Sequence, residues 1–171
     1  MENFINETID TSQLPKYEEV SFTSLQPAYW NVILFYTIFT FTIIGIGLFF
    51  GLINIEEWQG QDVTVWAIFG ILLILTLLFS RIGFKKKSFA FRNHDVLFRH
   101  GVIATTTIVI PYNRIQHVAL HEGIISRYFK LATVQVFTAG GSSSDLEIPG
   151  IQKEEAENIK QLLMGKIQKQ L

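Results

Sequence analysis

His117 and His121 bracket the stretch "HVALH". A separation of four puts both imidazoles on one face of either a helix or a strand. A metal would need a third ligand, and His94 or Glu122 has the right chemistry for one. A zinc-protease helix places its general base directly after the first His, and Val118 stands there instead. Exposed strand histidines, with no metal and no cofactor, are the reading the sequence favours. "AGGSSSD" (139–145) has the glycines of a phosphate loop but neither its Lys nor its following helix. Ser142 to Ser144 have no base arranged beside them and read as a hairpin loop. Cys is absent, which removes disulfides, thiolate nucleophiles and cysteine metal sites. With no nucleophile–base pair and no paired buried carboxylates, the sequence points away from an enzyme.

The other chemistry is charge. Arg81, Lys85, Lys86, Lys87 and Arg92 crowd the point where a long oily stretch stops. Such a cluster can fix the direction in which a chain enters a membrane. It can also attract anionic lipid headgroups, at about 1 kcal/mol per basic residue near the surface. Lys85 to Lys87, Arg92 and Arg99 would form the basic face of a headgroup-binding domain, whose affinity should fall steeply with salt. The formal net charge of −1 hides the segregation. Residues 1–28 carry five acids and one base, 54–62 carry three acids and no base, and 81–171 carry thirteen bases and seven acids. The basic excess is modest and mostly beside the oily stretch, so nucleic acid is not an expected partner.

Two elements must position that cluster. Tyr29 to Ile53 carries no charged residue, and neither does Val63 to Ser80. At about 1.5 Å per residue these runs extend roughly 37 and 27 Å. The hydrocarbon core they would cross is about 30 Å thick. Neither shows the polar stripe of a helix half-exposed to water. The first run lies too far in, is too long and follows too acidic a segment for a signal peptide. Trp30, Trp58 and Trp66 fall near the ends, where interfacial aromatics sit. The expectation is a two-span hairpin at 29–83 joined by the short connector "NIEEWQGQD", after an N-terminal tail at 1–28. The connector lacks Lys and Arg, so both termini are expected on the cytoplasmic side of the membrane. The spans lack the ionisable residues of a transporter. Gly45, Gly47 and Gly51 would let the helices approach.

Residues 84–171 then form one small domain. "SFAFRN" alternates, "NHD" is a turn, and "VLFRHG" is a strand with a bend at Gly101. "VIATTTIVI" (102–110) is β by composition and stops at Pro111. Further strands are expected at 115–123, 132–141 and 146–150, with a short helical turn between the first two. From Gln152 the period changes: Ala156, Ile159, Leu162, Leu163 and Ile167 make the apolar stripe of a helix. Glu154, Glu155 and Glu157 lie early in it and Lys160, Lys166 and Lys169 late, as the helix dipole favours. The fold class is α+β: a transmembrane hairpin, then a small barrel or curved sheet capped by an amphipathic helix.

These blocks, in this order, resemble the bacterial membrane-flanked pleckstrin-homology-like domain of the YdbS type. "SFAFRNHDVLFRHGVI" is similar to its opening hairpin. "TTTIVIPYNRIQHVALHEGIISRYFKLATVQVFTAGG" is similar to its core signature, "IPGIQKEEAENIKQLL" to its closing strand and helix, and "SLQPAYW" to its pre-membrane segment. Lys130 departs from the pattern, since Gly is common before Leu-Ala. The resemblance implies a membrane-anchored interaction module rather than an activity. It implies as partners the bilayer and either a longer multi-span membrane protein with copies of the same domain or a second copy of this chain. It marks Tyr112, Arg114, Gln116 and Arg127 as recurring polar positions, with a structural network favoured over an anion or peptide site.

Overall fold

Both uncharged runs become helices. They are α1 (Tyr29–Asn54) and α2 (Asp62–Lys86), 26 and 25 residues long. The computed structural model describes residues 20–58, 60–139 and 145–168. The acidic residues 1–19 and the serines of the 140–144 loop lie outside that set. Mean hydropathy over the apolar windows is 2.3 in α1 and 2.5 in α2, and almost none of either window is covered by protein. A core helix would be wrapped, whereas these leave their apolar surface for lipid. Three polar side chains bond within their own helix, as a lipid environment favours. Thr42 donates to the Ile38 carbonyl at 2.8 Å. Thr76 donates to Leu72, and Asn54 to Phe50, at the same distance.

The hairpin closes through aromatic contacts. Phe41 meets Phe69 with ring centroids 5.4 Å apart. A Cβ on Gly45 would stand 3.4 Å from the same Phe69 ring. The connector makes a short turn at Glu56–Trp58, and the Trp58 indole folds onto Gly51. Gly47 faces open space.

Among the described residues the domain has seven strands. Five follow the hairpin closely: β2 (Ser88–Phe91), β3 (Asp95–His100), β4 (Thr106–Pro111), β5 (Ile115–His121) and β6 (Leu131–Thr138). The last, β7, is Leu146–Gln152, and β1 is the pair Thr23–Ser24 ahead of α1. Two antiparallel sheets result, ordered β1–β2–β3–β4 and β5–β6–β7. Among the described residues they do not close into a continuous barrel. Pro111 and a tight turn at Tyr112–Arg114 carry the chain around the corner from one sheet to the other. Proline has no N–H to continue a ladder. Two helices complete the domain, α3 (Ile124–Tyr128) between β5 and β6 and α4 (Lys153–Gln168) at the end. The core joins Val96, Phe98 and Ile110 of one sheet to Val118, Val134, Val136 and Ile148 of the other, under Ala156, Ile159 and Leu163 of α4.

Some local features differ from the expectation. The β-branched run at 102–110 starts pairing only at Thr106. Gly101 has φ +126, and a Cβ there would overlap the Ala104 carbonyl oxygen, so 101–105 is a tight turn of the β3–β4 hairpin. Leu162 is exposed, one position off the stripe that buries Ala156, Ile159 and Leu163. The pre-span residues, to which the sequence assigned no element, are part of the fold. Thr23 and Ser24 pair with Phe89 and Ser88, and Leu25 is buried in the core at 4% exposure. Lys130 takes φ +53, the left-handed conformation that Gly adopts most easily.

Candidate functional site

Lys87 alone separates α2 from β2, so the basic cluster is held by structure on both sides. Its members have different surroundings. The Arg81 guanidinium lies 4.7 Å from the Trp30 ring centroid and 5.7 Å from that of Phe84. These cation–π contacts tie the domain ends of the two helices together. Lys86 donates to the Val102 carbonyl at 2.7 Å, and a Cβ on Gly83 would stand 3.1 Å from Val102, so the 101–105 turn is pinned to the end of α2. Lys87 is half-buried beside Tyr29 and Phe98, and burial lowers its ammonium pKa. Lys85 is exposed. Arg99 lies under Phe22, guanidinium to ring centroid 3.9 Å.

Arg92 belongs elsewhere. It occupies the turn at the opposite end of the β2–β3 hairpin, since Ser88 pairs with Arg99 and Phe91 with Val96. Its guanidinium forks onto the Asp95 carboxylate through Nε and Nη2. That hydrogen bond raises its pKa further. Tyr112 is buried at the same turn. Its hydroxyl donates to the Arg92 carbonyl at 2.7 Å, and its N–H donates to the His94 carbonyl at 2.9 Å.

The remaining recurring polar positions do not converge. Arg114 precedes β5 and is exposed beside Thr138 and Asp145. Gln116 is exposed in the bulge between Ile115 and His117. Arg127 lies beyond the other end of β5, 4.0 Å from Glu122. Glu122 in turn takes the Lys153 ammonium at 3.0 Å. His117 stacks on Phe137 with centroids 4.1 Å apart. Among the described residues no three His, Asp or Glu side chains are grouped to hold a metal.

A second surface had no signal in the sequence beyond the β character of its strands. Among the described residues β4 is one of the two outer strands of its sheet, beside β1 at the other edge, and β7 is one of the two of the second sheet. Two grooves of about 390 and 380 Å³ run along this seam and share Ile108 and Asp145. Val109 is 43% exposed on β4. Asp145 closes one end by accepting both the N–H and the hydroxyl of Thr138, each at 2.7 Å. These bonds lower its carboxyl pKa by favouring the charged form. The seam offers backbone edge and apolar side chains to an extended segment.

Two spans, two facing antiparallel sheets and a capping C-terminal helix are the architecture the sequence blocks implied. The bacterial PH domain family model matches residues 33–167. The chain belongs to the bacterial PH domain family. It is similar to two transmembrane proteins of Bacillus subtilis (strain 168). One is UPF0699 transmembrane protein YdbS, 26% identical over 96 residues, which are 56% of this chain and 57% of YdbS. The other is UPF0699 transmembrane protein YdbT, 29% identical over 98 residues, 57% of this chain and 20% of YdbT. The chain thus spans less than two thirds of either relative. No solved structure matches. Like them, this PH-domain protein is a membrane protein.

Proposed function

We propose that this chain is a non-catalytic interaction module at the cytoplasmic face of the bacterial inner membrane, and that its PH-like domain docks an extended segment of a related multi-span PH-like membrane protein. The observation that supports it most is the seam beside the edge strand β4, which exposes Val109 and lines two grooves through Ile108. Strand addition to an exposed edge takes affinity from backbone hydrogen bonds and specificity from alternate side-chain pockets. The matches to both YdbS and the longer YdbT support a longer relative as the class of partner. Cytoplasmic placement is supported by charge, because the connector carries Glu56, Glu57 and Asp62 while the domain end carries Arg81 and Lys85 to Lys87. A headgroup-binding role for the basic cluster has less support, because Arg81 and Lys86 are engaged within the protein.

The test is site-specific photo-crosslinking in membranes. A photoreactive residue replaces Val109, with Lys160 on the exposed face of α4 as control, in cells that also make a multi-span relative carrying the same domain. An adduct to that relative from position 109 and not from 160 is expected. Adducts only to a second copy of this chain, only to lipid, or to nothing would sink the docking assignment.

A further inference from the structure

Among the described residues outside the two spans, the three most exposed large apolar side chains are Ile103 at 94%, Ile124 at 84% and Tyr128 at 83%. A single exposed isoleucine needs no explanation. These three, however, lie where the domain meets the hairpin. Ile103 is in the 101–105 turn that Lys86 pins to the end of α2. Ile124 and Tyr128 lie four apart on α3, and so share one face.

The depth of α3 can be read against the spans. α3 is in contact with α1, and Gly123 just before it places its Cβ position 3.7 Å from the Tyr36 hydroxyl. Trp30 of α1 lies level with Arg81 of α2, and Phe41 lies level with Phe69. Tyr36 therefore lies level with a part of α2 between Phe69 and Arg81, inside the uncharged run that ends at Ser80. Helical side chains lean toward the N-terminus, so the Tyr36 hydroxyl sits about one turn nearer the domain than its own Cα. That is the boundary between headgroups and hydrocarbon, where tyrosine is enriched. The start of α3 is at that level too.

We infer that α3 and the 101–105 turn lie in the lipid interface, so that the domain rests on the phospholipid leaflet through Ile103, Ile124 and Tyr128 on either side of the hairpin. The flanking cations suit that depth. Arg127 and Lys130 are exposed around α3, and Lys85 at the end of α2. Their long stems can stay in apolar surroundings while their heads reach phosphate. The occupant is lipid rather than protein because the contact is continuous with the lipid-facing surface of α1, on which Phe35 and Phe39 are exposed. The inference needs the two spans but not the proposed partner.

The chain has no Cys, so single labelling sites are available. Ile103→Cys, Ile124→Cys, Tyr128→Cys and the control Lys160→Cys would each carry an environment-sensitive fluorophore in the full chain. The chain would be placed in nanodiscs of phosphatidylethanolamine and phosphatidylglycerol. Labels at 103, 124 and 128 are expected to be shielded from aqueous iodide and quenched by lipids with a nitroxide near the headgroup, while the label at 160 shows the reverse. Equal iodide access at all four overturns the inference. Shielding without nitroxide quenching also overturns it, by assigning the face to a second protein copy. Shielding at 103 alone removes α3 from the interface. Loss of binding at the β4 seam would leave all these readings unchanged, so the two proposals fail separately.

Discussion

Tyr112 links the β2–β3 turn to the corner between the sheets. Its hydroxyl holds the Arg92 carbonyl, its N–H holds His94, and the Lys166 ammonium sits 5.9 Å from its ring centroid. Burial, then the nearby Asp95 charge, push its phenol up to about 12, with Arg92 opposing. Folding thus favours the neutral phenol. The stability it confers is complete below the ordinary value of 10.0 and is lost as pH rises through about 12. Tyr112→Phe removes the bond to Arg92, costing about 1 kcal/mol, and flattens this alkaline decline. Urea unfolding of the full chain in detergent micelles, near neutrality and again above pH 10, reads both effects. A variant that matches the parent at both would remove Tyr112 from the network. Asp145 has the opposite sign. The two Thr138 bonds lower its pKa, so its contribution is present above the usual carboxylate range and fades as pH falls through the folded value. Asp145→Asn should lose stability near neutrality and show a shallower acid decline in the same assay.

At the scale of elements, the joint between α1 and β7 depends on one glycine. Gly150 has φ +66, and a Cβ there would overlap the Tyr29 ring. Its carbonyl also accepts the Gln26 N–H at 3.0 Å. Gly150→Ala should cost more than the roughly 1–2 kcal/mol of left-handed backbone strain alone, because Tyr29 must also move. Gly70→Ala in α2 meets nothing within 4 Å and should be tolerated. Thermal melting in micelles separates the two, and equal melting temperatures would refute the joint. None of this was legible in the sequence, since "IPGIQ" shows a glycine in a strand but not the tyrosine that needs it. The spans and α4 were legible because each buries or exposes a whole face, so composition and period repeat over many residues. β1 was not, being a single pair of residues whose partners lie beyond the whole hairpin. The seam was not either: a period of two tells which face of a strand is buried but not which strand lies beside it. The basic cluster was visible as a group, yet Arg92 fell outside it because β2 carries it to the far end of the hairpin.

For the whole molecule, the decisive quantity is which side of the membrane holds the domain. The charge asymmetry argues for the cytoplasm, but the basic collar at the end of α2, Arg81 and Lys85 to Lys87, is not purely a topology signal. Lys86 pins the 101–105 turn, and Lys87 is half-buried. Neutralising all three lysines would weaken the orientation bias and loosen the domain together. The two roles separate by position. Lys85→Gln removes an exposed charge and should leave trypsin cleavage within the domain unchanged, whereas Lys86→Gln frees the Val102 carbonyl and should expose the turn to a protease that cuts after apolar residues. Orientation is then read without touching the collar. Glu56→Cys in the connector and Lys160→Cys on α4 are offered a membrane-impermeant maleimide in cells with a permeable outer envelope and an intact inner membrane. Labelling at 56, with labelling at 160 only after the inner membrane is broken, is the expected result. The reverse pattern would place the seam, the collar and α3 on the outer side of the membrane, and no partner confined to the cytoplasm could reach them.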